Sequence, residues 1–545
     1  MNDSPSTELN RRTLLKGLGL ITASSVAASM ISTETLASIQ PIATIAPDEN
    51  QSDDARRESD AYKVRQKAAL DQKNAPGATH PTNGDEARFP NKIGSYSKGL
   101  PHNALGEVDP TAFGLLVRAM DSGQVSDFAA IPLGGVVKQV NPQASLAFDM
   151  VGADSHHMGI IPPPAFSSLL EAAEITEVYW QALTRDVPFN DYGTDPSIAM
   201  AIADLSQFPS FAGVNVGNLF RGTTPGDLTG PYVSQFLWRD VPYGATSIAQ
   251  TYRVPITGND HITTYASWLN MQKGGAPITS VTLDPTPRYI RNGRDLGEYV
   301  HKDFSYQAFL NAALILLAFG APALDDANPY KASSNQGAFA TFGPPDILDL
   351  VAKVANCALK AAWYQKWLVH RRLRPEAFAG RIHNHKTGSA SYPIHPQALN
   401  SQAVSEVHNR FGTYLLPMAY PEGSPAHPSY PAGHACIAGA CVTVLKAFFK
   451  ESFVIPNPVI ATSGGFSLTP FSGPTLTVGG ELNKLAANIA ISRDTAGVHW
   501  RSDGIEGLKL GEAVAMSVLG DFRGCFNETF SGFSLTKFDG SSVVI

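Results

Sequence analysis

Three segments of the chain combine basic side chains, histidines and glycines at spacings that could grip an oxyanion. The first reads Lys366-Trp367-Leu368-Val369-His370-Arg371-Arg372-Leu373-Arg374-Pro375-Glu376. Pro375 disfavours helix at Arg374, so Arg374 is expected where a helix stops, with Lys366 two turns back. Such a pair could hold an anion from two heights, although a basic helix end is also what the helix macrodipole favours without any ligand. The second segment is His427-Pro428-Ser429-Tyr430-Pro431-Ala432-Gly433-His434, leading into the apolar run Ala435–Phe449. Its prolines and glycine make a rigid turn into a helix. Gly433 allows close backbone approach, the free N–H groups of the helix start favour an anion, and His434 would sit beside it, suited to proton transfer. The third is Ser492-Arg493-Asp494-Thr495-Ala496-Gly497-Val498-His499-Trp500-Arg501-Ser502-Asp503. Arg493 ends an apolar helix, Gly497 breaks it and His499 lies in the connection. Asp503 either caps the next helix or orients His499 through a hydrogen bond.

Each segment alone is ambiguous between structure and chemistry. Together they supply Lys366, Arg374, Arg493, two histidines and an anion-seeking helix start, and no CxxC, HExxH, Walker or GxSxG motif competes with them. Three positive charges buried without a ligand would repel one another, a conflict that a tetrahedral or trigonal oxyanion resolves.

The elements that must position these groups read as mostly helical. Helical spacing runs through 164–184, 346–373, 396–411, 433–450, 481–495 and 504–519. Ala308–Phe319 is the most apolar segment, yet at about twelve residues it fits a buried core helix rather than a membrane span. Residues 185–290, richer in Pro, Gly and Thr, are expected to hold loops and a short hairpin. The expected fold is mainly α, a large helical bundle with long functional loops and a minor β-hairpin.

Composition bounds the function classes. The chain has 545 residues, 41 Lys plus Arg and 48 Asp plus Glu, for a formal charge of −7. That balance argues against a nucleic-acid partner. Apolar residues at 43% and charged residues at 16% exclude a disordered chain, and four cysteines are too few for a disulfide scaffold. So low a charged fraction points to a large core or to burial between subunits. Cys436 and Cys441, five apart on one expected helix, cannot easily bridge each other, and Cys357 and Cys525 lack an evident partner, which leaves inter-subunit bridges open. Residues 1–37 read as an export signal: Arg11-Arg12 followed by Leu14-Leu15-Lys16, a mildly apolar run, then small residues. The paired arginines resemble a twin-arginine signal, which implies a periplasmic or extracellular destination. Residues 38–90 read as a polar arm or linker, and 91–545 as one continuous unit with its site-forming helices within 346–520.

Taken in order, Lys-x7-Arg-Pro, Pro-x-Gly-His and Ser-Arg-x5-His-x3-Asp resemble the signature of the vanadium-dependent haloperoxidases, which share their site with the type 2 phosphatidic acid phosphatases. Leu100-Pro101-His102-Asn103, Asn141-Pro142-Gln143-Ala144, Arg185-Asp186-Val187-Pro188-Phe189 and Phe220-Arg221-Gly222-Thr223-Thr224 extend the resemblance to the bromoperoxidase branch, over about residues 91–540. The resemblance implies a vanadate cofactor ligated by His499, with Lys366, Arg374 and Arg493 neutralising its oxygens and the Gly433 N–H adding a hydrogen bond. His434 would move protons as hydrogen peroxide enters, and Lys366 would polarise the bound peroxide for attack by halide, giving a hypohalous product that halogenates a small organic acceptor. Where the family commonly has Ser before the glycine, this chain has Ala432, a loss of about 1.5–3 kcal/mol in anion binding if nothing compensates. His427 stands where bromoperoxidases carry histidine. Trp363, one turn before Lys366, lines the same face and with His427 forms the expected halide pocket, for bromide and iodide rather than chloride. The branch forms dimers and dodecameric shells of dimers, which implies a homo-oligomer. Two other readings stay open: an acid phosphatase with His499 as nucleophile and His434 as general acid, and a non-catalytic oxyanion-binding shell protein. The pair His156-His157 is read as structural or a pocket rim. Arg371, Arg372 and Arg501 are expected to support the site or to pair with carboxylates such as Glu376.

Overall fold

The computed structural model describes residues 53–545, so the expected export signal and the start of the arm lie outside the described residues. The architecture is mainly helical. In chain order the main helices are α1 (Asp53–Asn74), α2 (Pro110–Ser122), α3 (Leu169–Thr184), α4 (Pro196–Leu205), α5 (Tyr265–Gln272), α6 (Gly293–Lys302), α7 (Gln307–Ala318) and α8 (Pro344–Tyr364). They are followed by α9 (Pro375–Lys386), α10 (Gln402–Phe411), α11 (Gly433–Phe448), α12 (Val478–Thr495) and α13 (Arg501–Arg523). Among the described residues, β-structure is confined to antiparallel two-stranded pairs: β1 (Val241–Tyr243) with β2 (Thr246–Ile248), β3 (Val459–Ala461) with β4 (Leu468–Pro470), and β5 (Ser534–Thr536) with β6 (Ser542–Val544). No described helix is long and apolar enough to cross a membrane.

Local chemistry sets the helix ends. Ser168 caps α3 by accepting from the Glu171 N–H, and Asp195 and Asn292 do the same for α4 and α6. The helix read from 346–373 stops earlier. α8 ends at Tyr364, and the chain widens into a π-type turn over Gln365–His370. Arg371 then takes a left-handed conformation (φ 41°). Arg374 is therefore not the end of that helix but the residue before Pro375, which opens α9. The segment read as one helix from 396 to 411 breaks at Asn400, where Ser401 caps α10 afresh through the Val404 N–H. The 75–90 part of the expected linker is anchored to the body. Asp85 is buried and accepts from the Phe166 N–H, and Glu86 pairs with Arg371.

Three apolar clusters meet around the motif segments. The largest is built from α7, α8, α11, α12 and α13. A second joins α3, α4, α9 and α10 to Val498 and Trp500. The third packs Tyr96, Leu100 and the apolar face of α2 around Trp367. In the first cluster α11 and α13 approach backbone to backbone. A Cβ on Gly511 would overlap the Cys436 carbonyl oxygen, and one on Gly439 the Leu508 carbonyl oxygen. All four cysteines are free; Cys357, Cys436 and Cys441 are buried and Cys525 is exposed.

Because α11 carries the Gly433 start and α13 follows His499, their spacing sets the site. Gly511→Ala should destabilise the protein by about 3 kcal/mol through overpacking, read as a lowered thermal midpoint.

Candidate active site

The three motif segments converge where the clusters meet. Lys366, in the wide turn after α8, is fully buried and donates to two backbone carbonyls, Pro428 O at 2.8 Å and Ser429 O at 2.6 Å. Arg374 donates to Val498 O (2.7 Å), His427 O (3.0 Å) and His499 Nε2 (2.8 Å). Arg493, at the end of α12, donates to Val300 O (2.9 Å), its Nε has no partner among the described residues, and its guanidinium lies 5.7 Å from the Tyr420 ring centre. None of the three forms an ion pair with a carboxylate among the described residues. Arg372, by contrast, meets Glu171, Glu174 and Asp503.

His499 is fixed from behind. Its Nδ1 lies 2.7 Å from Asp503 Oδ2, which also accepts from Ser429 Oγ (2.5 Å) and the Trp500 N–H (3.2 Å). An arginine can only donate, so Nε2 must present its lone pair to Arg374, and the proton sits on Nδ1 facing Asp503. Asp503 thus does both things foreseen for it: it caps α13 and orients His499. Burial, then the charges of Arg374, Lys366 and Arg493, hold His499 well below the usual histidine pKa, so that lone pair stays uncharged at neutral pH.

Gly433 begins α11 after Ala432, which offers no side-chain cap. Both are buried, so the first N–H groups of α11 lie inside the protein without intrahelical partners. A Cβ at Gly433 would come within 3.3 Å of Leu359 and Trp363, so those side chains would have to shift by a few tenths of an ångström to admit one. His434 is the most accessible of the site's histidines, its side chain 23% exposed, and its Nε2 lies 3.0 Å from Asp303 Oδ1 at the end of α6. Trp363 faces the same space, its indole ring 4.8 Å from the His427 ring and 6.0 Å from Lys366 Nζ. Trp363 is half-buried and His427 nearly closed off from solvent. The His427 carbonyl accepts from Arg374 while its ring lies against Trp363.

Residues that sequence reasoning missed complete the site. Asp303 gives no signal in the sequence, lying far from His434 along the chain. Ser429 sits inside the second motif but reads only as a turn residue. Arg371, Arg372 and Arg501 do pair with carboxylates, but Glu376 is not among their partners. Glu376 binds Lys98 (3.1 Å), Gln272 and the Ser424 N–H, Arg371 goes to Glu86, and Arg501 goes to Glu177. His156 and His157 stack on each other, with Asp154 bonding His156, and no metal-holding cluster exists among the described residues.

Fold and side chains together define a helical protein with three buried cations, free of carboxylate partners among the described residues, beside one oriented histidine. The family profile described as the VCPO second helical-bundle domain matches residues 349–528. The chain is 36% identical to a vanadium-dependent bromoperoxidase of Corallina pilulifera, over 84% of this chain and 91% of that protein. It is 35% identical to one of Ascophyllum nodosum, over 89% and 92%. A solved structure, the homohexameric second vanadate-dependent bromoperoxidase of Ascophyllum nodosum, superposes with a TM-score of 0.84 at 30% identity, covering 98% of this chain and 95% of that one. The chain belongs to the vanadium-dependent bromoperoxidase family.

Burial, then the Arg374 charge, holds Lys366 well below the usual lysine pKa, and burial brings Arg374 down to about 9. An anion seated beside Lys366 raises it again while Arg374 stays charged throughout, so anion binding takes up a proton at Lys366 where that group is neutral without the anion. Affinity should fall as pH rises between the depressed and restored Lys366 values. Titration calorimetry of inorganic phosphate in alkaline buffers of differing ionisation enthalpy should show net proton uptake; proton release would contradict this electrostatic picture.

Proposed function

We propose that this protein is a vanadate-dependent bromide peroxidase, oxidising bromide and iodide with hydrogen peroxide and halogenating small organic acceptors. The observation that carries the reading is the trio of buried cations, Lys366, Arg374 and Arg493, gathered without carboxylate partners around the His499 lone pair and the uncapped start of α11. That donor set fits vanadate. It offers one uncharged nitrogen for the metal, fixed positive charge for the oxygens and an unpartnered Arg493 Nε. When bound, vanadate supplies a Lewis acid that activates hydrogen peroxide toward halide without changing oxidation state.

The chain's own groups do the rest. His499 would hold vanadium through Nε2, kept in its tautomer by Asp503. Arg374 gives up its bond to that nitrogen and turns, with Lys366, Arg493 and the Gly433 N–H, to oxyanion charge. Once turned to the anion, these buried donors are held by the fold and stabilise charge developing in the reaction with little further reorganisation. His434 accepts and returns peroxide protons at its ring, with Asp303 holding the far nitrogen and partial exposure giving an exit to solvent. Trp363 and His427 bound the side from which halide enters; their polarisable faces favour bromide and iodide over chloride.

The family's hexameric relative supports a homo-oligomer for this chain, and the Arg11-Arg12 leader supports export by the twin-arginine route to the periplasm or beyond. Phosphate would occupy the same cradle, so vanadate-sensitive phosphatase turnover is the competing activity to measure alongside.

The deciding experiment strips the purified protein, adds vanadate or phosphate, and follows bromination of an organic acceptor with peroxide and bromide. Vanadate-dependent bromination is expected, and its absence overturns the reading. His499→Ala should abolish it. Ala432→Ser, which places a hydroxyl at the cradle's rim, should tighten vanadate binding about tenfold or more through an added bond to a charged group, measured by equilibrium dialysis.

A further inference from the structure

Behind His499 lies a second, fully buried charge cluster that the reaction itself does not touch. Among the described residues Arg372 is its only cation. One end of its guanidinium, Nη1, meets Asp503 Oδ1 (2.8 Å) and Ser502 Oγ (2.8 Å). The other, Nη2, meets Glu171 Oε2 (2.5 Å) and Glu174 Oε2 (3.1 Å), both on α3. The face of the group lies 4.6 Å from the Trp500 ring centre. All four charged side chains are at most 4% exposed.

The two glutamates are not equivalent. Glu171 touches Arg372 through one oxygen, and its other oxygen, Oε1, has no partner. Glu174 is saturated with donors: Ser502 N (3.1 Å) on Oε1, and Ser502 Oγ (2.8 Å) together with Arg372 on Oε2. Burial pushes the Glu174 pKa up, while Arg372 and the Ser502 donors act against that push and favour the carboxylate form. Glu174 therefore does two things at once. It binds an otherwise free N–H in the first turn of α13, and it competes with Asp503 for the same guanidinium.

That competition matters for the far oxygen of Asp503. Without Glu174, Glu171 alone would hold the far end of Arg372 through one oxygen, and the guanidinium would shift toward Asp503 and draw charge toward Oδ1, leaving less on Oδ2 for the His499 Nδ1–H. An outer partner of this kind tunes a metal-binding histidine through its other nitrogen. We propose that Glu174 is a positioning residue for His499: by holding Arg372 and the start of α13 toward α3, it keeps Asp503 charged and turned to Nδ1–H, and so sets how strongly the Nε2 lone pair binds vanadate.

The proposal rests on the reading of His499 as the vanadate-binding nitrogen, and two readouts keep the two claims apart. The first is the His499 Nδ1–H resonance in vanadate-free protein labelled with 15N-histidine, assigned by its loss in His499→Gln. The second is the dissociation constant for vanadate, and for phosphate, by equilibrium dialysis. Glu174→Gln keeps the side chain's size and removes its charge. It should move the Nδ1–H resonance upfield and raise the vanadate constant about tenfold, the lower end of what losing an outer-layer partner does, with a smaller change for phosphate. Glu174→Asp keeps the charge but withdraws it by one methylene, and should fall between; it also serves if Glu174→Gln does not fold. An unmoved resonance in a folded variant overturns the proposal, as does a moved resonance with unchanged vanadate affinity. Wild-type protein that binds phosphate but not vanadate would instead defeat the reading of the cofactor, while the resonance alone still decides whether Glu174 acts on His499.

Discussion

Positive charge buried without negative charge beside it is the constraint on which the rest of this structure depends. Desolvating a lysine and two arginines is costly, and their mutual repulsion adds to the cost. The fold meets it with backbone dipoles. Pro428, Ser429, His427, Val498 and Val300 each turn a carbonyl toward a cation. Carbonyls offset part of the charge and leave a net field that only a mobile anion completes. The connecting segments must therefore be rigid. Ser429 N donates to Arg372 O, Trp500 Nε1 to Leu373 O, and Ala432 N to Asp503 O, so each motif segment is tied to another by its backbone.

The same residue types play opposite parts according to depth. Facing the cradle, Lys366, Arg374 and Arg493 go without carboxylates. One layer back, Arg372, Arg501 and Lys98 are each matched by glutamate. Helix α3 supplies three of those glutamates, Glu171, Glu174 and Glu177, at successive turns of one face. A helix that packs against the apolar cluster thus also carries a ridge of negative charge beneath the site, which keeps the inner cations from dominating the whole interior.

Much of the cradle was legible in the sequence because its groups sit in local motifs. Pro375 and Gly433 mark where the chain turns, and the spacing from Arg493 to His499 to Asp503 spans one helix end and the next helix start. Helical periodicity likewise revealed α8, α11, α12 and α13. What sequence could not supply was pairing across distance. Asp303 meets His434, Lys98 meets Glu376, and Glu174 meets Arg372 only because separate helices pack together. The wide turn after α8 was equally hidden. Gln365–His370 keeps an ordinary helical pattern, and the extra residue per turn follows from burying Gln365, Lys366, Trp367 and His370 against three different neighbours.

The buried cysteines take on meaning beside an oxidising reaction. Thiolates, not thiols, are what peroxide and hypohalous acids attack fastest. Burial pushes the Cys357 thiol up to about 11 and the Cys436 thiol, one turn into α11, up to about 12, and raises Cys441 as well. Each is thus kept protonated and walled off from the solvent that carries reagent and product. Close packing around α11 therefore gives the protein chemical endurance as well as mechanical stability, with three of its four thiols kept protonated and out of solvent.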